Sequence, residues 1–140
     1  METTTRSLIT DEMKPAMQGA FPSVIVTCAK SGIPNTTVIS QVFYVDEDHL
    51  ALSFQFFNKT IRNARENPKA CVKIICPVTF STFDLEIEYD HSETEGQVFE
   101  QMDMQLEAIA SMTGMSGVFK LRAADIYKVH NVTKHSDGKM

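Results

Sequence analysis

Phe83, Leu85, Ile87 and Tyr89 alternate without a break with Asp84, Glu86, Glu88 and Asp90. Successive side chains of a strand point to opposite faces, so residues 79 to 90 read as a strand with one apolar and one acidic face. Around it the spacing predicts other strands: residues 23 to 28, rich in β-branched residues, then 36 to 45, 49 to 57, 70 to 75 and 118 to 129. Turn signals at Lys30-Ser31-Gly32-Ile33-Pro34-Asn35 and Asp46-Glu47-Asp48 make the first three a meander, and such a sheet must close.

Helical spacing is found in three places. Thr10-Asp11-Glu12 opens a short helix through Met13, Ala16 and Met17, ending near Gly19. Residues 59 to 67 hold good helix formers stopped by Pro68, and Val98, Met102, Leu106 and Ile109 define an amphipathic helix before Gly114. Ser92-Glu93-Thr94-Glu95 matches a capping box for that helix. The expectation is a mainly β (α+β) chain: a six-stranded antiparallel barrel with a short helix after strand 3 and a longer helix before the last strand. Residues 1–130 form the domain and 131–140 a polar C-terminal tail.

Charge narrows the function classes. With 13 Lys plus Arg against 18 Asp plus Glu, the net charge of −5 has the wrong sign for neutralising nucleic-acid phosphates. Between Lys73 and Lys120 there is no Lys or Arg, while nine acids fall in that gap. Cross-strand pairing of Lys120 and Arg122 with Glu86 and Glu88 is expected to absorb part of it. The three cysteines, Cys28, Cys71 and Cys76, form no CxxC and read as buried thiols in a reducing compartment. No His stands at metal-ligand spacing with another His or a Cys, so no metal site is expected. The methionines of the longer helix read as core or as a dimer seam. Without an apolar leader or a stretch of about 18 apolar residues, the chain is expected to be cytoplasmic, with no membrane contact.

Chemistry concentrates where the third strand runs into the short helix. Asn58 stands at a helix start, whose free N–H groups and positive dipole end suit a phosphate. Lys59 adds a charge, Thr60 a hydroxyl, and Arg62 a second cation one turn along. A plain Asn cap on a solvated basic helix accounts for the same spacing. Ser53 and Gln55 on the strand, with Ser40 and Gln41 on the preceding one, place amide and hydroxyl groups beside that point. A cleft of this kind suits a planar heterocycle with a phosphate tail, such as flavin mononucleotide (FMN).

The stretches Pro34 to Gln41 and Leu52 to Thr60, then Arg62-Asn63 and Asn67-Pro68, resemble the pyridoxamine 5′-phosphate oxidase-like family of FMN-binding split β-barrels. The resemblance implies a homodimer with FMN in clefts at the subunit interface. It implies that Lys59 and Thr60 hold the phosphate, with Asn58, Arg62 and Asn63 close by. Ser53, Gln55, Ser40 and Gln41 would lie beside the ribityl chain and ring. The family's true oxidases carry bases on the second strand and a basic C-terminal segment; residues 35 to 45 hold no Lys or Arg, so pyridoxamine phosphate oxidation is not expected.

The expected function is therefore an FMN-dependent oxidoreductase passing hydride between a nicotinamide cofactor, NADH or NADPH, and a small-molecule substrate. No catalytic acid or base is assigned. The alternatives are a flavin-binding or sensor module without turnover, and haem or F420 in the same cleft.

Overall fold

The computed structural model describes residues 8–17, 23–39, 42–54, 67–112, 114 and 121–136. Seven strands follow one another as β1 (Ser23–Cys28), β2 (Pro34–Ile39), β3 (Val42–Asp46), β4 (His49–Phe54), β5 (Lys69–Ile75), β6 (Thr82–Glu93) and β7 (Ala123–Ser136). A 3-10 helix, Asp11–Met17, precedes them, and the helix α1, Gln97–Met112, lies between β6 and β7. All pairings are antiparallel, in the spatial order β2-β1-β5-β6-β7-β4-β3.

The strand count is seven, not the expected six, because the strand read over 36 to 45 is two strands. Up to Ile39 the chain pairs with β1; from Val42 it pairs with β4, at the other edge of the sheet. Laid flat, six inter-strand spacings would put those edges about 29 Å apart. Only residues 40 and 41 lie between Ile39 and Val42, and three peptide steps reach no further than about 11 Å. The sheet must therefore curl until its edges meet. Ile39 and Val42, each 2% exposed, enter the same core.

That core fills the barrel. Leu50 and Leu52 of β4, Val72 and Ile74 of β5, Phe83, Leu85 and Ile87 of β6, and Tyr127 and Val129 of β7 form one cluster, joined by Met13, Ala16 and Met17 of the 3-10 helix. The expected α-helix over 8–19 is a 3-10 helix from Asp11 to Met17, because Pro15 brings no N–H and crowds the carbonyl four residues back. A second, smaller cluster lies outside the barrel, where Met102 and Leu106 of α1 cover Ala51 of β4 and Ala124 and Ile126 of β7.

Two expectations about the chain after residue 90 need correcting. The capping box is not used: Ser92 and Glu93 still belong to β6, and α1 starts at Gln97, with Glu100 N–H donating to Gly96 O at 3.0 Å. The final strand does not stop at residue 129, since β7 runs to Ser136, into the stretch read as a polar tail. Its polar side chains meet the acidic face of β6: His130 Nε2 lies 2.8 Å from Glu88 Oε1, Asn131 Nδ2 donates to Glu86 Oε2 at 3.2 Å, and His135 Nε2 lies 2.6 Å from Asp84 Oδ2. These residues, with Lys73 Nζ at 2.7 Å from Asp84 Oδ1, take the place expected for Lys120 and Arg122. Arg122 is exposed before β7 begins, and Lys120 lies outside the described residues. Irregular registers at Glu86/Ile87 and Tyr89/His91 add the twist that lets two long strands wrap the barrel.

Leu85 is fully buried at the centre of the cluster. Leu85→Ala is expected to lower the unfolding free energy by about 2–5 kcal/mol in a urea titration, whereas Val78→Ala, on an exposed side chain between β5 and β6, should stay within about 0.5 kcal/mol.

Candidate functional site

Of the nine residues expected to hold a ligand, Ser40, Gln41, Gln55, Asn58, Lys59, Thr60, Arg62 and Asn63 lie outside the described residues. Ser53 is described. It follows Ala51 on the outward face of β4, opposite Ala124 of β7. It is 3% exposed, and its Oγ has no hydrogen-bond partner among the described residues. A buried hydroxyl left unpaired costs about 1–3 kcal/mol, so this atom calls for a polar partner.

The ends of segment 55–66 can be located. The chain leaves β4 at Phe54, paired with Ala123 of β7, and re-enters at Pro68, whose carbonyl accepts from Tyr89 N–H at 2.8 Å. Both points lie at one end of the barrel, beside the last residues of β6 and the first of β7.

That end holds a polar group which the sequence reading did not single out. Asp125 is 6% exposed and points inward with Tyr127, on the face opposite Ala124 and Ile126. Ser92 Oγ–H donates to Asp125 Oδ1 at 2.7 Å, so the Tyr89 hydroxyl in turn donates to Ser92 Oγ. Tyr89 meets Tyr127 edge to face, with ring centroids 5.5 Å apart. Burial, helped by the Asp125 charge, raises the Tyr127 pKa well above its ordinary value, so the phenol stays neutral. The one available signal was phase: Asp125 is the acid among Ala123, Tyr127 and Val129 in the inward register of β7.

The four histidines each face a carboxylate. His49 Nδ1 lies 2.9 Å from Asp46 Oδ1 and 2.8 Å from Asp48 Oδ1, and His91 Nε2 lies 2.8 Å from Glu93 Oε2. Burial works against charge on His49, but the two aspartates outweigh it and raise its pKa above the ordinary 6.5. The hydrogen bond to Glu93 raises that of His91. For Asp84, burial pushes the carboxyl up, yet Lys73 and His135 prevail and hold it below its ordinary 3.8. Cys76 is buried while Cys28 and Cys71 are only half-buried, so the expectation of buried thiols holds in full for one of them. Burial, with Asp84 and Glu86 nearby, raises the Cys71 thiol. The hydroxyl of Thr79 favours the Cys76 thiolate, but at 2% exposure it is out of reach.

A family model described as pyridoxamine 5′-phosphate oxidase matches residues 9–130. The chain belongs to the pyridoxamine 5′-phosphate oxidase family. Solved structures repeat its fold at low identity. An FMN-binding protein from Syntrophomonas wolfei subsp. wolfei superposes with a TM-score of 0.76 at 16% identity, over 92% of this chain and 86% of that one. An F420 reductase gives 0.62 at 9% identity, covering 89% and 97%. HutZ, the haem storage protein from Vibrio cholerae, gives 0.54 at 16% identity, covering 90% and 94%. No curated protein matches this oxidase-family chain by sequence. Among the described residues, no helix is long and apolar enough to cross a membrane.

Two outcomes follow from the electrostatics and the polar group. A group whose pKa folding raises stabilises the fold below its unfolded value, and that contribution is lost as pH climbs through the raised value; a lowered carboxyl behaves in the opposite sense. Denaturation midpoints measured against pH should therefore fall above about pH 6.5, less steeply in His49→Gln, and fall again below about pH 4, less steeply in Asp84→Asn. Ser92→Ala removes the donor to a buried carboxylate and should cost about 1.5 kcal/mol in urea, the low end for a charge-assisted bond because Ser92 is itself exposed.

Proposed function

We propose that the chain binds FMN and works as a flavin-dependent oxidoreductase, moving hydride between NADH or NADPH and a small substrate. The observation that carries this reading is the buried Ser53 hydroxyl, without a hydrogen-bond partner among the described residues, at the barrel end that receives segment 55–66. A family fold shared with an FMN-binding protein supports it.

In this reading Lys59 and Thr60 hold the phosphate, with Asn58, Arg62 and Asn63 beside them. Ser53, Gln55, Ser40 and Gln41 hydrogen-bond along the ribityl chain and ring. Bound flavin supplies the capacity to accept and return a hydride. The chain's own contribution is to bind, orient and shield it from water. The second reading, a binding module without turnover, draws on the likeness to a haem storage protein.

A homodimer with the cofactor at the subunit interface completes the proposal. The outer faces of β1 and β2 support it: Val38 is 60% and Val26 38% exposed, on registers two residues apart, and β2 is an edge strand. An obligate interface buries apolar surface of this kind.

The test is an absorption spectrum of the purified protein, repeated anaerobically with NADPH and with NADH. The paired near-ultraviolet and blue bands of oxidised flavin are expected, and either reductant should bleach them; bands that persist favour the binding module. Lys59→Ala should weaken FMN binding by about 1.5–3 kcal/mol, roughly tenfold or more, without unfolding the chain. A colourless protein that takes up no added FMN overturns both readings.

A further inference from the structure

α1 carries three longitudinal strips. Met102, Leu106 and Ala110 are buried against the sheet. Away from them, the four-residue spacing of Met104, Ala108 and Met112 makes a second strip, with Met104 71% and Met112 78% exposed. Glu100, four residues before Met104, heads that second strip; between the two strips Asp103 and Glu107 are exposed along one side, and Glu95 is exposed just before the helix. A surface helix ordinarily turns its charged residues outward. Here the strip turned away from the sheet carries a single acid, Glu100, at its N-terminal end, and its two large side chains, Met104 and Met112, stand in water.

We infer that this face docks a basic amphipathic segment of another protein, whose apolar side chains seat on Met104, Ala108 and Met112 while its Lys or Arg residues face Glu100 and Asp103. Charge complementarity selects that occupant. No Lys or Arg occurs from 74 to 119, so the helix brings no base of its own to answer the acids. For the same reason a second copy is a poor occupant: a twofold contact would set one acidic helix against another. Methionine suits such a surface, because its unbranched, polarisable chain adapts to different partner shapes. Sixteen residues give a platform of about 24 Å, enough for some four turns of a partner helix packed 8–10 Å away. Met104 and Met112 are on the side of α1 away from the sheet that carries Ser53, and the test below reads peptide binding whatever cofactor the chain binds.

The experiment uses the full chain and a fluorescent synthetic peptide of leucine and lysine at helical amphipathic spacing, with a glutamate-for-lysine peptide as its counterpart. Anisotropy titrations should show binding of the lysine peptide only. Affinity should drop at least tenfold in Met104→Glu/Met112→Glu, at least tenfold in Glu100→Lys/Asp103→Lys, and with added salt. The substituted side chains are exposed, and circular dichroism confirms the fold of each variant; Met104→Gln/Met112→Gln repeats the apolar test without new charge. Absence of wild-type binding, or equal binding by the methionine variants, overturns the proposal. So does sedimentation showing that the methionine variants turn a dimer into a monomer, which would make this face the seam between copies.

Discussion

The short link between Ile39 and Val42 is the constraint from which the architecture follows. It ties one edge of a seven-stranded sheet to the other, and no flat or gently twisted sheet satisfies it. Closure brings the apolar faces of all the strands inward together, so a chain of this size buries Leu50, Val72, Ile74, Leu85 and Val129 completely. It also decides where the remaining pieces go. The 3-10 helix joins the interior core, whereas α1, which follows the long β6, has only the outside of β4 and β7 left to cover.

What was legible in the sequence was what local periodicity encodes. The alternation of residues 83 to 90 found its expected burial, and of the helical set Val98, Met102, Leu106 and Ile109 the middle two are buried and the outer two half-buried. The split at residues 40 and 41 left no such mark, because β2 and β3 are both extended and the change of partner between them is a tertiary event. The reach of β7 to Ser136 was hidden for a related reason. His130, Asn131 and His135 look like a solvated tail until the acids of β6 are set beside them. Ser92 matched a capping box and went instead to Asp125, a residue 33 positions away that offers a buried charge in place of a free N–H. The eight expected site residues on segment 40–41 and segment 55–66 stand on motif alone, and Ser53 is the member whose surroundings speak for a ligand.

The uneven charge resolves into two different situations. On β6 the acids sit in a sheet, where register delivers partners from both neighbours: Lys73 from β5, and His130, Asn131 and His135 from β7. α1 lies on β4 and β7 through Met102 and Leu106, and Glu100 and Asp103 are on its exposed side, facing solvent. One run of like charge is thus a structural clasp in its first half and an open surface in its second. The sequence shows a single acidic block, and only topology divides it.

A filled interior also limits what the fold can say about ligands. With Leu85, Ile87 and Tyr127 occupying the barrel, a group the size of a flavin or a haem has no room inside and must be held against the ends or the outer faces. Those are places where loop residues can contribute, and where the proposed second subunit would. Solved structures of this fold accordingly include an FMN-binding protein, an F420 reductase and a haem storage protein. Discrimination falls to few atoms: a phosphate needs cations at a helix start, an isoalloxazine ring needs amide and hydroxyl partners along its edge, and a haem needs an axial ligand. The sequence offers the first two sets together, in Lys59 with Thr60 and in Gln55 with Ser53, which is why the flavin reading outweighs the others.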